Sequence, residues 1–534
     1  MRNNYVATSE TSSAVEIAVR EIQKHCPLIL IDSHTGELCD AHARMSIFKD
    51  DPISKDLISS MTKKLDKERI RNVVAGFLKY VMFSHVWTRP EEGKEPSLQD
   101  VHEVKYVWAL PATPPNEKLR NFCKKTRSLG FRWAWSDTCC IDKLSNVILN
   151  ESLTSMYKWY ENSAATLVLL VNVEHPSKRG DLPFNLWMTR AWTLQELLAP
   201  KVILFYDSTW RPYLGDSSTN HKESPEIMQE LADAIKVSSG TIVAFQPDSL
   251  TVREKLRLAS KRNATREEDV AYCLIGIFKS DVRPFYGEKE SALGHLLEEI
   301  VTRSGEVTVL DWIGKSSEYH SCLPNSLSVY SEAPHSPPAL EAEEMGASIA
   351  RLGSALTRND AVQFYTKIRA LQDASLTHRR LSLPCVIFQT KSLQVHDVHH
   401  SSEKEYGVEV HGLRDVTVMT ADALSPREPQ RLLFVHPWIH HIRGPHSAVA
   451  RGHETGFNIT SLPTPSSYGG PSAQVGEFTQ ALELIARLEQ PFNALLLLQQ
   501  VDGKYKRVAT EHAIIVKPEI TSLADIRVDT LTIL

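Results

Sequence analysis

Tyr80-Val81-Met82-Phe83-Ser84 is the first of four short apolar runs that decide the fold of this chain. The other three runs have the same character and occupy residues 132–136, 166–171 and 202–206. Segments with helical spacing of apolar residues separate them; between the second and third runs these residues are Leu149, Leu153, Met156 and Tyr160. The alternation predicts an α/β fold, in which helices cover both faces of a parallel sheet.

Length and composition limit the classes of function. The chain has 534 residues, enough for about three domains. Its 60 Lys and Arg against 65 Asp and Glu give a net charge of -5, so we expect no nucleic-acid partner. The eight cysteines form no CxxC pair, which predicts neither disulfides nor a metal site. No apolar leader or membrane span is recognisable, and we expect a cytoplasmic protein.

Changes of composition along the chain predict five segments. Residues 1–78 form an N-terminal extension, 79–213 the sheet domain, and 214–315 a helical extension packed on that domain. Residues 316–375 are rich in Ser, Pro and acidic side chains near their start, which is typical of a linker and surface segment. Strand-like runs return in residues 376–534, which we expect to form a β-rich C-terminal domain of unknown role, a sandwich or a barrel.

A ligand crevice is expected beyond the carboxyl ends of the parallel strands, where Ser84, His85, Trp87 and Asp137 would lie. His85 could orient a ligand phosphate or act as an acid, or it could bind a loop carbonyl. Asp137 could hold a ribose or a metal, or cap the next helix. A Cys-His nucleophile pair with His85 is a competing interpretation, but no residue that would form an oxyanion hole is recognisable.

Four blocks of sequence occur in a fixed order that is typical of one family. They are residues 83–87 (FSHVW), 135–143 (WSDTCCIDK), 156–160 (MYKWY) and 190–197 (RAWTLQEL). Together they resemble the fungal heterokaryon incompatibility (HET) domain, so the sheet domain would be a HET domain. The resemblance covers roughly residues 79–300. Thr88 stands where the family usually has Gly, and Ile148 where it often has Glu.

The resemblance carries an expectation about chemistry. The HET domain is thought to be a distant relative of TIR domains, some of which cleave NAD with a helix Glu four residues after a Trp. Trp192 and Glu196 have that spacing, and residues at i and i+4 share one helix face. The resemblance thus implies a TIR-like (flavodoxin-like) fold, Glu196 as catalytic residue, and Arg190 and Trp192 as ligand contacts. An ordinary helix is the alternative, with Trp192 in the core and Glu196 capping it or pairing with Arg190.

The resemblance also implies a role in fungal self/non-self recognition, a form of innate immunity, in which the HET domain triggers programmed cell death. One hypothesis makes the domain an NAD glycohydrolase, with NAD as substrate and no certain cofactor. The other makes it a non-enzymatic signalling or scaffold module that acts through a protein partner or self-association. The two differ in the surroundings they require for Glu196: an open cleft, or a buried pair with Arg190.

Overall fold

The computed structural model describes residues 6–332, 340–396, 404–414, 416–438 and 471–534. It has two compact units. The first comprises Met1–Leu250 and Arg262–Gly287, and the second comprises Thr251–Lys261 and Glu288–Leu534. The chain therefore passes from one unit to the other three times. None of the helices in the described residues is long and apolar enough to cross a membrane.

The strands fall into three sheets. In chain order they are β1 Leu30–Asp32, β2 Leu38–Cys39, β3 Tyr80–His85, β4 Trp133–Trp135, β5 Ala165–Leu169, β6 Ile203–Tyr206, β7 Ser375–Thr377, β8 Arg380–His396, β9 Lys404–Val410, β10 Val416–Thr420, β11 Leu432–Pro437, β12 Phe492–Asn493, β13 Leu495–Gln499, β14 Tyr505–Arg507, β15 Ile515–Val516 and β16 Ile526–Ile533.

The α-helices occur before and between these strands along the chain. In chain order they are α1 Thr8–Gln23, α2 Ala41–Asp50, α3 Pro52–Ser60, α4 Lys67–Phe77, α5 Leu98–Val104, α6 Pro114–Ser128, α7 Asn146–Asn162, α8 Thr193–Leu198, α9 Pro225–Ile235, α10 Ser239–Val243, α11 Val252–Ala259, α12 Asp269–Tyr272, α13 Ile275–Phe278, α14 Ser291–Ser304, α15 Ala342–Ala355, α16 Arg358–Ala370 and α17 Pro471–Leu488.

A six-stranded sheet forms the centre of the first unit, in the order β2-β1-β4-β3-β5-β6. The four strands β3 to β6 are parallel and buried along their whole length, which confirms the predicted parallel sheet of an α/β fold. Strands β1 and β2 extend it in antiparallel pairing and come from the predicted N-terminal extension. The buried carboxylate of Asp32 in β1 accepts hydrogen bonds from Arg132, which precedes β4.

Strand β3 is the switch point of this sheet. Its chain neighbour β4 pairs on one side and β5 pairs on the other, so the connection after β3 leads to one side of the sheet and the connection after β5, which leads to β6, to the other side. The crossovers that follow β3 and β5 therefore diverge at the carboxyl end of β3, where open α/β sheets leave a crevice. Ser84 and His85 are the last two residues of β3 and lie at this point.

The second unit is rich in β-structure, as predicted. Strand β16 pairs with β14 on one side and with β8 on the other, so β8, β11, β13, β14 and β16 close into a ring. Helices α15, α16 and α17 contribute apolar residues to a core that also contains Val386, Phe388 and Leu393 of β8. Within the predicted linker segment 316–375 the structure places α15 and α16, and residues 333–339 of that segment lie outside the described ones.

Candidate functional site

Ser84 joins two segments of the chain at the carboxyl end of β3. Its hydroxyl donates a hydrogen bond to Oε2 of Glu196 in α8 and accepts one from Nε1 of Trp187, at 2.7 Å. All three side chains are buried. The hydroxyl therefore uses its donor for Glu196 and one of its lone pairs for Trp187.

The segment before α8 brings Trp187 and Glu196 to the same serine. Asn185 accepts a hydrogen bond from the backbone N–H of Trp187 at 3.1 Å, and its amide donates to the carbonyl oxygen of Val171 at 2.7 Å. The hydroxyl of Thr193, the first residue of α8, lies 2.6 Å from the carbonyl oxygen of Trp187 and donates to it. These bonds stabilise a tight turn, and the short helix that follows is buried on every side.

Burial sets the protonation state of Glu196. Removal from water raises the pKa of its carboxyl to about 8, and the negative charge of Asp137 adds to this effect. The hydrogen bond from Ser84, the charge of Arg190 and a hydrogen bond with Tyr160 act in the opposite direction. The carboxyl is therefore mostly protonated at neutral pH, and a cation brought next to it would favour the ionised form.

Asp137 lies two residues after the end of β4, near an exposed aromatic ring and two cationic side chains. Its Oδ2 accepts a hydrogen bond from Nε1 of Trp87 at 2.8 Å. Burial raises the pKa of Asp137, whereas the charges of Lys143 and Arg190 favour its ionised form. Nζ of Lys143 lies 4.1 Å from the centre of the Trp87 ring, and Trp87 is 42% exposed. The arrangement offers an aromatic surface beside positive charge.

His85 belongs to the opposite side of β3 from Ser84, because successive residues of a strand face opposite ways. Its ring stacks on Phe83, with 4.1 Å between ring centres, and its Nε2 is 3.9 Å from Oε2 of Glu95. Burial and the charge of Lys118 hold the pKa of His85 well below its usual range. The ring is therefore neutral and carries no charge with which to hold a phosphate.

Trp192 and Arg190 both precede α8, so neither lies within the helix that carries Glu196. The indole N–H of Trp192 donates to the carboxylate of Asp269, a residue outside the predicted site. Arg190 is half-buried, and its charge favours the ionised forms of both Glu196 and Asp137. The structure thus brings Ser84, Asp137, Arg190 and Glu196 together, joins Trp87 to Asp137, and gives Trp192 a separate partner. Glu196 is 9% exposed and bonded to Ser84, so among the described residues it lies neither in an open cleft nor in an ion pair with Arg190.

Three further residues of the site are absent from the sequence-based candidates: Trp187, Tyr160 and Lys143. Tyr160 and Lys143 lie in the blocks quoted above, and Trp187 lies three residues before Arg190. The helical spacing of Tyr160 predicts that its side chain packs in the core, and this tyrosine is indeed buried. Within the described residues, no three His, Cys, Asp or Glu side chains are grouped so that they could hold a metal ion.

Comparisons with known proteins give matches that include part of the candidate site. The family model of the heterokaryon incompatibility protein (HET) matches residues 80–184, which include Ser84, Trp87 and Asp137 and end before Glu196. The chain is also similar to the vegetative incompatibility protein HET-E-1 of Podospora anserina, with 33% identity over 230 residues. That alignment covers 41% of this chain and 16% of the relative. No solved structure shows a significant match.

Proposed function

We propose that residues 80–184, which match the heterokaryon incompatibility (HET) family model, form the effector domain of a fungal self/non-self recognition protein that triggers programmed cell death. The support is the match of residues 80–184 and the similarity to a protein named for vegetative incompatibility. The chain spans only 16% of that relative's length, so the activity of the whole relative does not transfer with the domain. We place the action in the cytoplasm.

We further propose that the effector activity is cleavage of NAD at the bond between nicotinamide and ribose. The hydrogen-bonded pair of Ser84 and Glu196 carries this proposal, because it puts a carboxyl at the switch point of a parallel sheet. The order of the parallel strands, β4-β3-β5-β6, agrees with the flavodoxin-like order and supports a TIR-like fold. Arg190 and Lys143 supply positive charge for the pyrophosphate, and Trp87 supplies an exposed ring for stacking.

The reaction needs one carboxylate and one water molecule. The bond between C1′ of the ribose and N1 of nicotinamide breaks, and its electron pair stays on the nicotinamide nitrogen, which becomes neutral. Ionised Glu196 stabilises the positive charge that develops on the ribose. Water then forms the new bond to C1′ and gives a proton to Glu196, which passes it to solvent. The products are nicotinamide, ADP-ribose and one proton.

The protonated state of Glu196 fits a resting enzyme. The nicotinamide ribosyl group of NAD is a cation, and its arrival next to the carboxyl would lower the pKa of Glu196. Binding of the substrate would therefore produce the carboxylate that the reaction requires. Ser84 remains the hydrogen-bond donor to this carboxylate and keeps it oriented.

The test is NAD consumption and nicotinamide release by the purified full-length chain. Glu196→Gln keeps the size of the side chain and should slow turnover by about 100-fold or more. Glu230→Gln is the matched control, because Glu230 is also buried in the first unit but accepts its hydrogen bonds from Gly180 and Tyr213. A wild-type protein that kills cells without consuming NAD would exclude the enzymatic proposal.

A non-enzymatic signalling or scaffold role is the second candidate, favoured by exposed apolar side chains. Leu144, Val147 and Phe184 are 80%, 74% and 92% exposed. All three lie in connections that follow the carboxyl ends of β4 and β5, and exposed apolar groups of this kind mark contact surfaces. This role predicts that the wild-type chain consumes no NAD. It also predicts that Phe184→Ser abolishes both toxicity and self-association.

A further inference from the structure

A distant segment, residues 262–287, holds the start of the helix that carries Glu196; we call this segment the clasp. The guanidinium of Arg262 is buried, and its Nη1 donates to the carbonyl oxygen of Arg190 at 3.0 Å and to Oγ1 of Thr193 at 2.7 Å. The next residue, Asn263, pairs through its backbone with Thr189 and Ala191, at 2.6 Å and 2.8 Å. One arginine and one backbone bridge therefore determine where α8 begins.

A second contact of the clasp lies at Asp269. Its carboxylate accepts a hydrogen bond from the indole of Trp192 and another, at 2.7 Å, from the hydroxyl of Tyr286. The guanidinium carbon of Arg266 lies 4.3 Å from the centre of the Tyr286 ring. Trp192, the residue immediately before α8, is therefore bound to Asp269 and, through Asp269, linked to Tyr286 near the end of the clasp.

The third contact reaches the other helix that borders Glu196. A Cβ atom on Gly276 would lie 2.1 Å from Cβ of Tyr157, so α13 approaches α7 as closely as only glycine allows. Tyr160 follows three residues later in α7 and is a hydrogen-bonding partner of Glu196. The clasp thus contacts the helix that carries Glu196 and the helix that carries one of its partners.

The chemistry of Arg262 argues against a role in general stability. A buried guanidinium is costly unless its donors are satisfied, and Nη2 of Arg262 has no hydrogen-bond partner among the described residues. Burial lowers its pKa to about 10, so the group stays charged at neutral pH. One of the bonds that Arg262 makes goes to Thr193, the first residue of the six-residue helix α8, and the other goes to Arg190, three residues before that helix begins.

We propose that the clasp orients Glu196 towards Ser84, and that Arg262 and Gly276 are its principal positioning residues. Arg262 sets the start of α8, and Gly276 sets the distance between α13 and α7. Neither residue touches the reacting atoms in this scheme. Any effect on catalysis rests on the function proposed above, whereas the placement of α8 does not depend on it.

The test is hydrogen exchange of the full-length chain, measured on peptides that cover residues 187–199. In Arg262→Gln, the backbone amides of Ala191, Leu194 and Ala199 should exchange about 10- to 100-fold faster, because charge-assisted hydrogen bonds at the start of α8 are lost. Arg262→Lys keeps a charged donor and should restore part of the protection. Arg253→Gln is the matched control, since this buried arginine donates to the carbonyls of Tyr330 and Glu332 in the second unit.

The outcomes separate the clasp from the enzymatic proposal. Unchanged exchange of residues 187–199 in Arg262→Gln would overturn the clasp, and so would an equal increase in Arg253→Gln. Faster exchange in a protein that does not cleave NAD would leave the clasp standing and remove the enzymatic function. If Arg262→Gln does not fold, Gly276→Ala replaces it, and protection of the same peptides at the wild-type level would overturn the proposal. In an active enzyme, Arg262→Gln should lower kcat more than it raises KM.

Discussion

The hydroxyl of Ser84 donates a hydrogen bond to the carboxyl of Glu196, across 112 positions of the sequence. Ser84 ends a central parallel strand, and Glu196 lies in a helix of six residues. Because Glu196 is only 9% exposed, this hydroxyl stands in for water that the carboxyl has lost. The contact therefore orients Glu196 and partly opposes the rise in its pKa that burial causes.

The free energy of unfolding should respond to pH through Glu196. Its pKa is about 8 in the folded chain and near its ordinary value of 4.5 when unfolded, so the folded state binds more protons between those values. Wild-type stability therefore decreases as the pH rises through this window. Glu196→Gln lacks that loss and should gain about 4 kcal/mol relative to wild type between pH 4.5 and pH 8.5. Urea unfolding at several pH values measures this, and parallel stability curves for the two proteins would contradict it.

Cleavage of NAD should become faster as the pH rises. The proposed reaction needs the ionised carboxylate, and kcat/KM reports groups of the free enzyme. We expect kcat/KM to increase about tenfold per pH unit below pH 7 and to level off above a pKa of about 8, the value for Glu196. Initial rates between pH 6 and pH 9 provide the measurement. A rate that decreases with pH would assign the protonated form of Glu196 as the active one.

Replacement of Ser84 by Ala should affect stability and the pH profile together. The change leaves the buried indole N–H of Trp187 without its acceptor and should cost about 1 to 3 kcal/mol. It also removes a hydrogen bond that lowers the pKa of Glu196, so the profile should move to higher pH. Ser33→Ala is the control, because this buried hydroxyl donates to the carbonyl of Phe131 at 3.0 Å. A similar shift of the profile in both variants would rule out a specific role for Ser84.

Two tryptophans of the quoted blocks should behave differently. Trp159 is 4% exposed, and Trp159→Ala should cost about 3 to 5 kcal/mol of stability. Trp87 is 42% exposed, so Trp87→Ala should change the melting temperature little. If its ring stacks on the substrate, the same variant should raise KM for NAD about tenfold or more. Thermal unfolding and steady-state kinetics of both variants distinguish these effects, and an unchanged KM in Trp87→Ala would remove this residue from the binding site.

The sequence predicted the parallel sheet well, because each strand is a local run of apolar residues. It did not predict strands β1 and β2, which are only three and two residues long. Their place depends on pairing with β4 and on the buried contact between Asp32 and Arg132, 100 positions apart. Local patterns carry no information about such pairing. For the same reason, helix α17 begins inside a stretch whose Gly and Pro content is typical of a loop.

By itself, the sequence determined the alternation of strands and helices between residues 80 and 206, and hence that Ser84 and Asp137 lie at the carboxyl ends of two successive strands. From their spacing it predicted Trp192 and Glu196 on one helix face, whereas in the structure α8 begins at Thr193, immediately after Trp192. Only the tertiary structure decided their partners: Ser84 for Glu196, and Asp269 for Trp192. The physical reason is that a buried polar group must bind whatever donor or acceptor packing brings within about 3 Å, and packing joins segments that are distant in the chain.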